Sequence, residues 1–332
     1  MSKHQLDFCS GLTGEIWNAC TAIPTSCLSQ QTPRFDDVIG DRQLFLAVFN
    51  TMQQAPLRKH KFFVLGAGRG TTGTRTLASA ASIDRAVHHY QSTYINGHGK
   101  ETKPLAEAFE KAIADLRNRF RRQESPSLLH TSPLIQPLQR SLRNMMYNHS
   151  ITGFFDTPWS NLFTELYFAM CPRGVRVILS TRDSYSWAIS RQANHRRLEA
   201  SSSSAPAHGR RLSHIGYICP FAPDPRLLDP FSMPQCAAFA RRHQHKNHSE
   251  HASTRLPGNA AMDFDDAPVH ELAAAMEKYN QFVLNLVPDD LLLRINYFTS
   301  SLLENRMHSG RSARDAWSEG QHNLVALFTR DT

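Results

Sequence analysis

The residues best suited to chemistry lie in 61-KFFVLGAGRGTTGTRTLASAAS-82, where an apolar run breaks into glycines, threonines and two arginines before an alanine-rich periodic segment. A strand that feeds a glycine-rich turn and then a helix gathers backbone N–H groups and the positive end of the helix dipole at one point, and anions bind there. Gly68, Gly70 and Gly73 supply conformational freedom, Thr71, Thr72, Thr74 and Thr76 supply hydroxyls, and Arg69 and Arg75 supply charge. Several readings compete. The run 68-GRGTTG-73 fits the dinucleotide pattern GxGxxG, but that pattern needs an acidic residue about 20 positions on, after a second strand. Asp84 comes too early. An ordinary phosphate loop, GxxxxGK[ST], has the right glycine spacing, yet Thr74 stands where lysine is required. A third reading keeps the cradle and takes its cation from Arg69 or Arg75, which suits a nucleotide phosphosulfate. A turn that merely packs would not call for this set of glycines, threonines and arginines.

A second constellation lies in 176-RVILSTRDSYSWAISR-191. Arg182 falls at the end of an expected strand and Ser190 eight positions later, in the following helix. A guanidinium and a hydroxyl so placed can grip one phosphate. Asp156 ends another strand-like run, 150-SITGFFDTP-158. It reads equally as a general base on a ligand-binding sheet edge and as the cap of the next helix. His88 and His89 are reserve candidates for the base, and their simpler reading is structural. Trp187 reads as core or as a wall beside an adenine.

The elements that must hold these residues follow from periodicity. Helices are expected over 41–54, from about Thr74, over 105–124, 159–172, 184–197 with Ser184 as cap, and 271–288; short apolar strands are expected at 61–67, 150–158, 175–183 and 291–298. Strand and helix in alternation predict an α/β fold with a central parallel sheet flanked by helices. The expected organisation is a partly helical lead-in over 1–55, one α/β domain over 56–303 and a tail over 304–332. Residues 198–265 read as a polar insertion, and the histidines at 243, 245, 248 and 251 as part of it rather than as a metal site.

Composition narrows the classes further. The chain has 332 residues, 41% hydrophobic and 20% charged, with a formal charge of +8 that suits an anionic ligand. No basic face with interleaved aromatics marks a nucleic-acid binder. The early apolar run 44-LFLAVF-49 is far short of the roughly 20 residues of a membrane helix. The cysteines at 9, 20, 27, 171, 219 and 236 form no CxxC pair. In a chain long enough for its own core they are expected as reduced thiols, in a cytoplasmic protein. Oligomeric state has no signature.

The layout 156-DTPWSNLFTELYFAMCPRGVRVILSTRDSYSWAIS-190 resembles the P-loop sulfotransferase superfamily, in the branch with an Asp-x-Pro turn, through Asp156, Pro158, Pro172, Arg182, Asp183, Trp187 and Ser190. The segment 277-EKYNQFVLNLVPDDLLLRINYF-298 is similar to the last helix and strand of that branch. The resemblance implies a three-layer P-loop-type domain that takes 3′-phosphoadenylyl sulfate (PAPS) as donor. It places the 5′-phosphosulfate in the loop over Gly68–Thr76, and the 3′-phosphate between Arg182 and Ser190. It implies Arg69 or Arg75 at the leaving oxygens, Thr74 and Thr76 with the loop amides at the 5′-phosphate, and Asp156 as base. The acceptor would be a small molecule or carbohydrate carrying a hydroxyl or amine. Relative to the family loop, 69-RGTTGTRTL-77 carries an insertion. The stretch after Phe298 lacks that branch's tryptophan-bearing segment and the basic-glycine loop of cytosolic members. An inactive nucleotide-binding relative and a P-loop kinase or NTPase are the alternatives, although the strand at 175–181 offers no acid for magnesium.

Overall fold

The structure is a computed structural model that describes residues 1–39, 42–57, 60–68, 72–90, 92–102, 104–105, 108–109, 135–156, 159–190 and 269–296. Arg69, Gly70, Thr71, Pro158, most of the expected 105–124 helix, the 198–265 insertion and the 304–332 tail lie outside the described residues. The chain divides into two compact units, Met1–Arg42 with Asp183–Pro288, and Gln43–Arg182 with Asp289–Thr332.

Among the described residues the second unit is built on a seven-stranded sheet: β1 (Phe63–Gly66), β2 (Ala86–His89), β3 (Ser92–Ile95), β4 (His98–Glu101), β5 (Ile151–Phe155), β6 (Val175–Thr181) and β7 (Leu292–Asn296), in the order β4-β3-β2-β5-β1-β6-β7. The strands β2, β5, β1, β6 and β7 run parallel, and β3 and β4 extend the sheet antiparallel. In register, Gly66 of β1 pairs with Ile178 of β6, and His89 of β2 with Phe155 of β5. Strands buried on both faces read as continuous apolar runs, as β1 does, while β5 carries Thr152 and β6 carries Arg176, Ser180 and Thr181 among apolar residues. The β3–β4 hairpin turns at Asn96 and Gly97, with φ of 51° and 80°, the positive pair that such turns require.

Side chains alternate across the sheet. On one face Val64, Val87, Phe155 and Ile178 pack against Leu77, Ala78 and Ala81 of the helix Thr74–Ala81. At about 1.5–3 kcal/mol for each large apolar side chain fully buried, this cluster anchors the helix that begins at the glycine turn. On the other face Trp159 lies against Phe154, Phe109 and His88, with ring centroids 4.8, 4.6 and 5.4 Å away. The helix Phe163–Met170, buried along its whole length, follows.

The strands expected at 61–67, 150–158, 175–183 and 291–298 are β1, β5, β6 and β7, and the helices Arg42–Gln54 and Val269–Leu286 match their periodic segments. The three strands β2 to β4 had no counterpart in the sequence reading. They are only four residues long, and buried histidines in β2 break the apolar signal.

The other unit contains the helices Lys3–Phe8, Gly14–Thr21, Phe35–Val38 and Val269–Leu286, and a helical stretch over 184–190. Phe8 meets Phe35 edge to face at 5.8 Å. The Gln5 amide donates to the carbonyls of Thr21 and Ile23 at 2.9 and 2.7 Å. The Thr32 hydroxyl donates to the Leu286 carbonyl at 3.4 Å. Two expectations need correction here. Cys9 and Cys20 form a disulfide, and no described cysteine is a free thiol. Proximity in the fold, Cα to Cα 5.9 Å, rather than motif spacing, pairs them. The cap of the stretch over 184–190 is Asp183, whose carboxylate accepts from the Ser186 N–H at 2.7 Å, while Ser184 donates to Glu277 at 3.2 Å. Among the described residues no helix is long and apolar enough to cross a membrane.

Candidate active site

Because β2, β5, β1 and β6 are parallel neighbours, their carboxyl ends share one edge of the sheet. Ligands of open α/β sheets bind along such an edge. β1 leads there into the glycine turn, β5 into Asp156, β2 ends at His89, and β6 leads into Arg182. The turn therefore sits between the strand that delivers the acid and the strand that delivers the arginine.

The turn is seated on β6. The Ala67 N–H donates to the Ile178 carbonyl at 2.9 Å, and Gly68 lies so close to β6 that a Cβ there would fall 1.8 Å from Ser180 Oγ. The Thr72 hydroxyl is buried and 2.7 Å from Ser180 Oγ. Thr72 thus fastens the turn to the sheet with its side chain. Gly73 caps the following helix in the left-handed region, φ 86°, where glycine carries no Cβ penalty. The helix starts at Thr74, and the 74–76 backbone amides belong to its first turn, where N–H groups lack intrahelical acceptors.

Thr74 is buried, and its hydroxyl donates to Asp156 Oδ2 at 3.2 Å. His89 Nε2 lies 3.1 Å from Thr74 Oγ1 and 3.4 Å from the same carboxylate oxygen. Asp156 itself has φ 62°, a conformation uncommon outside glycine and tolerated by aspartate through its short polar side chain. Residues held there cluster at functional sites. The Asp156 backbone carbonyl accepts from the Ser160 N–H at 2.8 Å, so the main chain meets the next turn while Oδ2 faces Thr74 and His89. Burial holds the His89 pKa below its ordinary value, with Asp156 raising it, Arg75 lowering it and its own backbone carbonyl raising it. Arg75 is exposed on the first turn of the loop helix, near enough for its charge to act on His89. Thr76 is half-buried on the same turn.

Of the expected residues, Gly68, Thr72, Gly73, Thr74, Arg75, Thr76, Asp156 and Arg182 lie at this edge, in one unit. Ser190 is half-buried on the helical stretch over 184–190, in the other unit. Sequence reasoning missed Ser180 as the seat of the turn and left His89 in reserve. A histidine ending a short strand beside Asp156 is visible only once β2 is paired with β5.

An α/β domain with a glycine-rich turn at the carboxyl edge of a parallel sheet, flanked by an acid and an arginine, has the layout of a P-loop-type fold. The model of the sulfotransferase domain matches residues 63–299, and the chain belongs to that family. A comparison with curated proteins finds no significant match.

Proposed function

We propose that this sulfotransferase moves a sulfuryl group from PAPS to a hydroxyl or amine of a small-molecule or carbohydrate acceptor, by in-line transfer. The observation that carries the reading is Asp156 held by Thr74 at the start of the loop helix, inside the sulfotransferase match. The donor set suits a bisphosphate: first-turn amides of the loop helix, the hydroxyl of Thr76, and cations at 69 and 75.

The bound nucleotide would supply an activated sulfuryl group. Everything else falls to the chain's own residues. In this reading the turn over 68–76 holds the 5′-phosphate, and Arg69 or Arg75 neutralises charge growing on the leaving oxygen. Arg182 and Ser190 take the 3′-phosphate, supported by their eight-residue spacing and by Arg182's place just after β6. Asp156 accepts the acceptor's proton as the new bond forms. Sulfuryl transfer resembles phosphoryl transfer in needing positioning and charge neutralisation above all.

A kinase or NTPase would want an acid for magnesium after a strand; β6 runs out through Ser180, Thr181 and Arg182, and the acid after β5, Asp156, is engaged by Thr74 and His89. The disulfide favours an oxidising compartment over the cytoplasm as the place of action.

The test is a titration with adenosine 3′,5′-bisphosphate and with AMP. Arg182→Ala and Ser190→Ala are expected to weaken bisphosphate binding by about tenfold or more, as for lost hydrogen bonds to a charged group, while AMP binding changes little. Equal losses for both ligands would refute the 3′-phosphate assignment. Bisphosphate binding without label transfer from PAPS to any acceptor would favour an inactive relative.

A further inference from the structure

Three polar side chains from separate elements meet beside the loop: Thr74 from the start of its helix, Asp156 after β5, and His89 at the end of β2. The separations are 3.2 Å from Thr74 Oγ1 to Asp156 Oδ2, 3.1 Å from His89 Nε2 to Thr74 Oγ1, and 3.4 Å from His89 Nε2 to Asp156 Oδ2. Proton placement follows from these contacts. Thr74 has one hydroxyl proton, and it is directed at the carboxylate. A bare Nε2 would then set its lone pair against both the Thr74 oxygen and a carboxylate oxygen. Nε2 must therefore carry the proton and donate into the pair. A ring whose pKa burial has lowered stays neutral near pH 7, so its proton is the one on Nε2. His89 is 4% exposed and packs edge to face on Tyr94, at 5.9 Å, which leaves the ring little freedom to turn.

Thr74 belongs at the same time to the first turn of the loop helix, where an anion in the turn would compete for its proton. If that proton swings to the anion, Asp156 Oδ2 loses one donor of the triangle and keeps the other. Resting on the sulfotransferase reading above, we propose that His89 is a positioning residue: its Nε2–H fixes the Asp156 carboxylate and keeps it aligned for proton abstraction after Thr74 has turned to the donor's phosphate. No proton leaves His89 in this scheme. The acceptor's proton goes to Asp156 as the oxygen–sulfur bond to the acceptor forms and the bond to the leaving phosphate breaks.

The experiment uses the full chain as wild type, His89→Leu, His89→Gln, Asp156→Asn and the His89→Leu/Asp156→Asn double variant. Transfer of label from PAPS is followed with a fixed panel of a phenol, a primary alcohol and a hexosamine, beside titration with adenosine 3′,5′-bisphosphate. His89→Leu is expected to lower kcat by about 30- to 100-fold, toward the scale of lost general-base assistance, with acceptor KM and bisphosphate affinity within about threefold. His89→Gln, whose amide nitrogen reaches the Nε2 position, is expected to recover turnover to within about fivefold of wild type, since the donor is restored. In the Asp156→Asn background His89→Leu adds no further loss, because residues acting as one unit are not additive. Nitrogen-15 spectra of the wild type are expected to place the imidazole proton of His89 on Nε2, which keeps the proposal testable even if His89→Leu fails to fold.

Equal damage from His89→Leu and His89→Gln, additive effects with Asp156→Asn, or a proton on Nδ1 with bare Nε2 would each overturn the proposal. Wild-type turnover undiminished by His89→Leu ends the proposal alone. A wild type that neither binds the bisphosphate nor labels any acceptor ends the sulfotransferase reading, and this inference with it.

Discussion

His88 and His89 are consecutive, and a strand turns consecutive side chains to opposite faces, so the two rings live in different worlds. His89 faces the loop helix and shares its proton with Thr74 and Asp156. His88 faces Trp159, whose indole N–H donates to His88 Nδ1 at 3.1 Å. That contact puts the His88 proton on Nε2, which has no hydrogen-bond partner among the described residues. Burial, with smaller contributions from His89 and His149, pushes the His88 pKa down to about 3. A folded value below the unfolded 6.5 means that the unfolded chain takes the proton first as the solution is acidified. The stability from a neutral His88 is therefore fully present above pH 6.5 and lost progressively as pH falls toward about 3. Melting temperature is expected to drop between neutral pH and pH of about 4, with each unit of depression worth about 1.4 kcal/mol at most. His88→Asn keeps an acceptor where Nδ1 was and does not titrate. It should melt lower at neutral pH, from the space the ring leaves, yet show a flatter acid slope. Some slope remains, because burial lowers His89 in the same direction. A slope unchanged by the substitution would show that His88 is not its source.

At the scale of the element, the two described ends of the glycine turn, Gly68 and Thr72, are pressed onto β6. Gly68 has no room for a Cβ, and the crowding atom is the Ser180 hydroxyl at 1.8 Å; the Ser180 Cβ and Thr72 Oγ1 would each stand at 3.0 Å. Gly68→Ala is expected to cost about 1–3 kcal/mol in denaturant unfolding, the usual range for overpacking. Ser180→Ala removes Thr72's partner at 2.7 Å, worth about 1 kcal/mol. The double variant should cost less than the sum, because the alanine at 180 clears the atom that the new methyl meets. Strict additivity would mean that the turn has lifted off the strand. The same scale explains what was legible beforehand. The sequence β1, turn, helix is a local pattern: an apolar run, glycines, then period-three-to-four alanines and Leu77. The cap of the stretch over 184–190 was misplaced by one residue, since Asp183 and Ser184 are both good caps and only geometry selects between them.

For the whole molecule, two covalent and topological facts matter most. Parallel pairing of β2, β5, β1 and β6 brings residues far apart in the chain to one edge. The Cys9–Cys20 link closes a loop with a sequence separation of 11 near the N-terminus, inside the unit that also holds the helix Val269–Leu286. A bond across so short a loop is expected to contribute about 2–3 kcal/mol. Protein prepared without reductant should yield a Cys9–Cys20 linked peptide, resist alkylation at both positions when denatured, and melt lower after reduction. Ready alkylation of both thiols without reductant would instead support the cytoplasmic, reduced state expected from cysteine spacing.

What could be read directly from the chain was governed by near neighbours: the strand-turn-helix that carries the loop, the strands and helices around Asp156 and Arg182, and the α/β class they imply; the short β3–β4 hairpin, although local, was missed. Contacts between distant residues were not readable, because no local periodicity encodes which strand pairs with which. Pairing β2 with β5 is what brings His89 to Asp156 and Thr74, pairing β1 with β6 is what puts Ser180 under Gly68 and Thr72, and helix packing is what joins Cys9 to Cys20. Each rests on burial of apolar surface summed over the fold, a quantity that no short window of sequence contains.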